Sequence, residues 1–256
     1  MSNIKKAFEN GKAFIGFLTA GDPDLETTKE CILKIVEAGA DLIEIGIPFS
    51  DPIAEGPVIQ AANIRALKSK TKLQNVFDLV ADLRKTIETP IVFLTYINPV
   101  FNYGYEAFFK ECKKSGVDGI IVPDVPFEEK AEISAYAKNN DVDIISLIAP
   151  TSNERIKTIA KDATGFVYVV SSMGVTGVRS EITTDVEAIV KLVKDVTDTP
   201  VAIGFGINTT AQAKHFAQFS DGVIVGSAIV KIIENYGKKS PNYVYDYVKS
   251  MKDSIT

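Results

Sequence analysis

The chain has 256 residues, 46% of them hydrophobic and 24% charged, with a formal net charge of −5. That length suits one α/β barrel and buries enough surface to need neither a disulfide nor a structural metal. The acidic balance excludes a general nucleic-acid binder, because neutralising phosphates needs a basic face. The single histidine, His215, excludes catalytic triads and paired-histidine metal sites. It lies in a polar helical stretch and reads as a surface residue.

Eight short apolar runs recur in chain order, at 14–18, 42–45, 91–94, 119–122, 144–147, 166–170, 201–203 and 223–225. Helical patterns separate them at 25–38, 58–68, 73–86, 105–115, 128–139, 153–161, 185–196 and 211–219. Strands apolar throughout are buried on both faces, as parallel strands are. Eight of them alternating with helices predict a (β/α)8 TIM barrel with extra helices after the second strand, forming a single domain over 1–256. An open doubly wound sheet would want a nucleotide fingerprint after its first strand, and Thr19-Ala20-Gly21-Asp22-Pro23 is not one. Residues 1–10 lack the apolar core of a signal peptide, and no run of about 18 apolar residues suggests a membrane span. Cys31 and Cys112, far apart and without ligand-like neighbours, read as structural thiols. A cytoplasmic location with no membrane contact is expected.

In such a barrel the chemistry sits where the strands end. Alternation along Leu42-Ile43-Glu44-Ile45-Gly46-Ile47 turns Leu42, Glu44 and Gly46 inward. A carboxyl there is costly unless paired or used, so Glu44 is either a catalytic group or half of a structural ion pair. The following loop, Pro48 to Pro57, carries Asp51 and Glu55. Read from the residues alone, these serve equally as solvated loop charge, helix-terminus stabilisation or function. After the sixth strand, Ser171 to Arg179 contains two glycines among small residues, the composition of a mobile active-site loop. Gly204-Phe205-Gly206 and Gly226-Ser227 follow strands seven and eight, where this fold holds phosphate groups on backbone N–H donors. These residues together predict a metal-free barrel acting on a phosphate ester by carboxylate acid–base chemistry.

Several motifs carry a resemblance. Glu44 with Pro48-Phe49-Ser50-Asp51-Pro52, Gly56-Pro57 and Gln60 resembles the signature of the tryptophan synthase α subunit family. So do Phe17-Leu18-Thr19-Ala20-Gly21-Asp22-Pro23, Tyr96-Ile97-Asn98-Pro99, Val122-Pro123-Asp124-Val125-Pro126, Ser171 with Gly174-Val175-Thr176-Gly177, Gly204-Phe205-Gly206-Ile207 and Gly226-Ser227-Ala228-Ile229-Val230. The likeness extends over essentially the whole chain.

It implies a lyase of tryptophan biosynthesis that splits indole-3-glycerol phosphate into indole and glyceraldehyde 3-phosphate. It also implies an αββα heterotetramer in which pyridoxal phosphate belongs to the β subunit and this chain carries no cofactor. By the same resemblance Glu44, Glu55 and Tyr168 are catalytic, and Phe17, Leu94, Tyr96 and Phe205 flank the indole. Gly177, Gly206, Gly226 and Ser227 hold the phosphate, Thr176 orients the second acid, and Pro48 and Asp51 communicate with the partner. One residue departs from the pattern: the family has aspartate where this chain has Glu55. The alternative is therefore a catalytically weakened α-like subunit acting mainly as an activator of the β subunit. A free-standing lyase without a partner would share the same catalytic residues.

Overall fold

The computed structural model describes residues 3–170, 185–204 and 206–256. A 3-10 turn, Ile4–Phe8, leads into β1 (Ala13–Thr19) and α1 (Leu25–Glu37). Next come β2 (Leu42–Gly46), α2 (Pro57–Lys68), α3 (Leu73–Leu83), β3 (Ile91–Leu94), α4 (Ile97–Tyr103) and α5 (Tyr105–Ser115). β4 (Gly119–Ile121), a 3-10 turn at Phe127–Glu129 and α6 (Ala131–Asn139) follow. The chain continues through β5 (Asp143–Ile144), β6 (Ser146–Ile148), α7 (Asn153–Lys161), β7 (Val167–Val170) and α8 (Val186–Lys194). It ends with β8 (Val201–Gly204), α9 (Thr210–Ala217), β9 (Gly222–Val225), α10 (Ser227–Tyr236) and α11 (Ser240–Asp253). No helix among the described residues is long and apolar enough to cross a membrane.

The strands form one parallel sheet in the order β5-β4-β3-β2-β1-β9-β8-β7-β6. Its two ends, β5 and β6, are separated only by Ile145, so the sheet curls into a nearly closed barrel. This is the expected (β/α)8 fold with one correction. The fifth apolar run, 144–147, is two strand segments. The Ile145 N–H bonds to Ile120 O at 2.8 Å, after which Ser146–Ile148 pairs with β7 alone.

Two packing layers follow from strand alternation. Ile43, Ile45 and Ile47 lie in the layer between sheet and helices. Leu42 and Val92 lie inside the barrel with Ile15, Ile121, Ile145, Phe166, Tyr168 and Ile224. The opening turn closes the barrel floor: Ile4 and Ala7 are buried in the inner layer, and the rings of Phe8 and Phe166 lie 5.8 Å apart.

Local signals agree with the helices. Asp24 caps α1 through Thr27 N at 2.8 Å. Pro57 opens α2, where its missing N–H costs nothing. Thr209 and Gln212 make a reciprocal capping box on α9. His215 is exposed on α9, as expected, and both cysteines are free and buried. Three helices lie outside the eight patterns set out above. α4 follows two residues after β3, α10 follows β9 where Gly226-Ser227 opens it, and α11 has tyrosines alternating with other residues that mask its buried Val244, Val248 and Met251.

The floor is locked by Asp118. Its Oδ2 accepts from Arg84 Nη2 at 2.7 Å and Ile91 N at 3.0 Å, while Oδ1 accepts from Asn3 N at 3.2 Å. Arg84 also donates to Gly116 O and Thr89 O. Asp118→Ala should cost about 3 kcal/mol in urea unfolding, because it strands a half-buried guanidinium and a buried N–H. A loss below about 1 kcal/mol, the scale of an exposed ion pair, would contradict this role.

Candidate functional site

β2 carries Glu44 to the middle of the barrel mouth. Its register places Glu44 beside Phe17 of β1 and Val92 of β3, and the side chain is only 2% exposed. Oε2 is buried with no hydrogen-bond partner among the described residues. Burial first, and the nearby Glu55 carboxyl second, push the Glu44 pKa up to about 8. Tyr168, inward on β7, is raised well above its ordinary value by burial and by Glu44. Small residues make room for these groups. A Cβ on Gly204 would come within 2.3 Å of the Tyr168 hydroxyl, and one on Gly46 within 2.8 Å of the Phe17 ring.

Glu55 comes from the loop between β2 and α2, yet it is 6% exposed. Asn63, 2% exposed on α2, donates through Nδ2 to Glu55 Oε2 at 2.5 Å. Tyr96 also hydrogen-bonds the carboxyl, and its hydroxyl accepts from Ala54 N at 3.2 Å. Gln60 Nε2 reaches Glu55 O at 2.7 Å. Burial outweighs the two donors and lifts Glu55 to about 7. The longer side chain at this position is therefore folded into the wall and held there.

Both acids open on a cavity of about 570 Å³. Phe17, Leu94, Tyr96, Tyr168, Gly206, Gly226 and Ser227 line it. Gly226 is the N-cap of α10 and Ser227 its first residue, so the free N–H groups of a helix start are available there to an anion. Among the described residues no cluster of three or more His, Cys, Asp or Glu could hold a metal ion.

A family model described as tryptophan synthase alpha chain matches residues 2–255. The tryptophan synthase alpha chain of Lacticaseibacillus casei is 48% identical over 255 residues, covering 100% of this chain and 96% of that one. That of Thermoanaerobacter pseudethanolicus is 49% identical over 262 residues, covering 100% of both. The chain belongs to the tryptophan synthase alpha chain family. Among solved structures, Mycobacterium tuberculosis tryptophan synthase superposes with a TM-score of 0.90 at 33% identity, covering 99% of this chain and 98% of that one. A tryptophan synthase complex from Pyrococcus furiosus gives 0.87 at 38% identity, covering 95% and 99%.

Of the site residues that the alpha-chain motifs imply, the structure brings together Glu44, Glu55, Tyr168, Phe17, Leu94, Tyr96, Gly206, Gly226 and Ser227 around one cavity. Thr176, Gly177 and Phe205, with the rest of the 171–184 loop, lie outside the described residues. Asp51 is exposed and accepts from the Ser50 hydroxyl. Pro48 is buried at the base of its loop, so only Asp51 of the pair offers a surface to a partner. Asn63 was missed by sequence reasoning. An Asn in the second turn of a helix, eight residues beyond the acid, carries no recognisable spacing.

Both carboxyl groups have pKa values above the ordinary 4.5. Below about pH 4.5 they are protonated folded or unfolded. From there to about 8 the unfolded chain releases protons that the fold retains, so stability falls as pH rises. Glu44→Gln removes the larger part of that loss. Its melting temperature should exceed the parent's by more at pH 9 than at pH 5, and an equal gain at both would contradict the raised value.

Proposed function

We propose that Glu44 moves the protons in this site and that Glu55 steadies the charge that the ring develops. A tryptophan synthase alpha chain cleaves indole-3-glycerol phosphate, which is a lyase reaction. The observation that carries the assignment of roles is the buried Glu44 carboxyl, its Oε2 without a partner among the described residues, facing the same cavity as a second carboxyl that Asn63 holds. Burial raises both pKa values, that of Glu44 further.

The reaction needs a proton on the ring carbon that bears the side chain. Protonated Glu44 supplies it, leaving positive charge on the ring nitrogen. The Glu44 carboxylate then removes the proton of the adjacent side-chain hydroxyl. The carbon–carbon bond breaks, its electron pair returns to the ring, and indole and glyceraldehyde 3-phosphate result with Glu44 protonated again. Glu55 accepts the hydrogen bond of the ring N–H and, as an anion, offsets the transient cation. Asn63 and Tyr96 favour its charged form and fix where it points. Tyr168 packs beside Glu44 against the ring. The phosphate sits at the start of α10, against Gly206, Gly226 and Ser227.

The partner of this chain is a tryptophan synthase β subunit, to which the family's pyridoxal phosphate belongs, in an αββα assembly. The exposed side chains of Ile53 and Phe101, on the Glu55 loop and on α4, support a docking face at the barrel mouth. Asp51 lies on that face. A cytoplasmic location accords with a biosynthetic role.

Single-turnover cleavage of indole-3-glycerol phosphate tests the roles. Glu44→Gln should slow it by about 10²–10⁴-fold while leaving glycerol 3-phosphate binding intact. Glu55→Gln should lose about 10²–10³-fold through the missing charge. Glu55→Asp should stay within about fivefold of the parent, the scale of one ordered rotatable bond. Parental rates in Glu44→Gln would remove the proton-transfer assignment. Parental rates in Glu55→Gln would make that residue a bystander.

A further inference from the structure

The active-site cavity does not end at the inner barrel wall. β5 bonds to β4 through Asp143 and Ile144, and the last link is Ile145 N to Ile120 O at 2.8 Å. Continuing that register sets Val122 and Pro123 opposite Ser146 and Leu147. No backbone hydrogen bond joins these segments among the described residues, and Pro123 has no N–H to offer. The wall has a seam there.

Alternation gives the seam two sides. Leu147 pairs with Tyr168 and belongs to the inner layer, whereas Ser146 pairs with Val167 of the outer layer. Both line the same cavity, as do outer-layer Phe127, Ile133, Ile144 and Ile159. One cavity touching opposite faces of a strand crosses the wall, into a chamber between β6 and helices α6 and α7. The outer rim is held by two ion pairs that bridge the helix segments, Arg155 with Glu128 and Lys130 with Asp162. Ser146 is 7% exposed, and its Oγ is buried without a hydrogen-bond partner among the described residues.

We propose that this outer chamber is a lateral subsite for a small uncharged substituent on the six-membered ring of the indole. The chain would then accept ring-substituted indole-glycerol phosphates as well as the parent compound. The inference rests on the cavity being the indole site. With phosphate at the α10 start and the acids at the reacting carbon and the ring N–H, the six-membered ring is the part left to face the seam. The chamber walls are aliphatic and aromatic, and its two cations are already paired, so a neutral halogen, methyl or hydroxyl group fits and a charged one does not.

The test uses 4-, 5-, 6- and 7-bromoindole with the intact chain, each by calorimetry and by bromine anomalous scattering in crystals. At least one isomer should bind no more weakly than indole and place its bromine between β6 and α7. Ser146→Leu, which fills the chamber from the strand, should weaken that isomer about tenfold or more relative to indole. Ser146→Ala should leave it unchanged. Ile159→Phe fills the same space from α7 and serves if Ser146→Leu does not fold. Bromine confined to the inner chamber for all four isomers would overturn the subsite. So would equal weakening of indole and bromoindole by the filling variants. Indole failing to occupy the cavity at all would instead overturn the functional reading beneath it, and the indole control separates that result from the others.

Discussion

A carboxyl group on the inner face of a buried strand sets the terms for the rest of this site. Glu44 sits where alternation along β2 must place it, between Phe17 and Val92 in register. No cationic group among the described residues compensates it. Burying a charge without a partner is expensive, and the protein meets that cost by keeping the group protonated to about pH 8. The same cost makes the group useful, since an acid poised just above neutrality can give a proton and take one back. Glu55 faces the same problem with a different solution. Two donors, Asn63 and Tyr96, hold its carboxyl lower than that of Glu44 although burial raises both. Because each carboxyl disfavours charge on the other, they titrate as a pair, and the better-solvated member carries the charge. The proposed division of labour between proton transfer and charge stabilisation rests on environment and not on side-chain type.

The two acids and the start of α10, where the phosphate is proposed to sit, must also be held at a fixed separation. α2 carries Asn63 and so the grip on Glu55, while α10 begins at Gly226 and Ser227. Arg65 of α2 joins them. It donates from Nε and Nη2 to the two oxygens of Asp22, at 2.7 and 2.8 Å, and from Nη1 to Glu234 of α10 at 3.0 Å. Asp22 is almost fully buried, and burial raises its pKa even with the guanidinium beside it. A planar bidentate contact fixes orientation as well as distance. One arginine thus ties the β1–α1 loop, the helix behind the second acid and the helix at whose start the phosphate is proposed to sit.

Much of this was legible from the residues. The apolar runs gave the strands because parallel strands are buried on both faces, and Glu44 stood out because a charge interrupts such a run. The glycines after the last two strands pointed to a phosphate end by their ordinal position, and the structure sets Gly206, Gly226 and Ser227 on the cavity. Glu55 was different. A loop acid among prolines looks solvated, and its burial depends on Asn63 and Tyr96 arriving from α2 and the end of β3, which no local pattern announces. The break at Ile145 was hidden for the opposite reason, because the residues on both sides are as apolar as a continuous strand. Ile4 was hidden in a charged leading segment, although with Ala7 and Phe8 it closes the barrel floor. The split strand and the acid clamp are both products of tertiary packing, and both belong to the site.

The most direct measurement is the titration of the Glu44 carboxyl itself, by carbon NMR of glutamate-labelled protein with Glu44→Gln identifying the resonance. The account predicts a midpoint near 8, with a smaller inflection as Glu55 ionises first. A midpoint near the ordinary 4.5 would mean that Glu44 is charged at neutral pH, and the proton-donor role assigned to it would not stand.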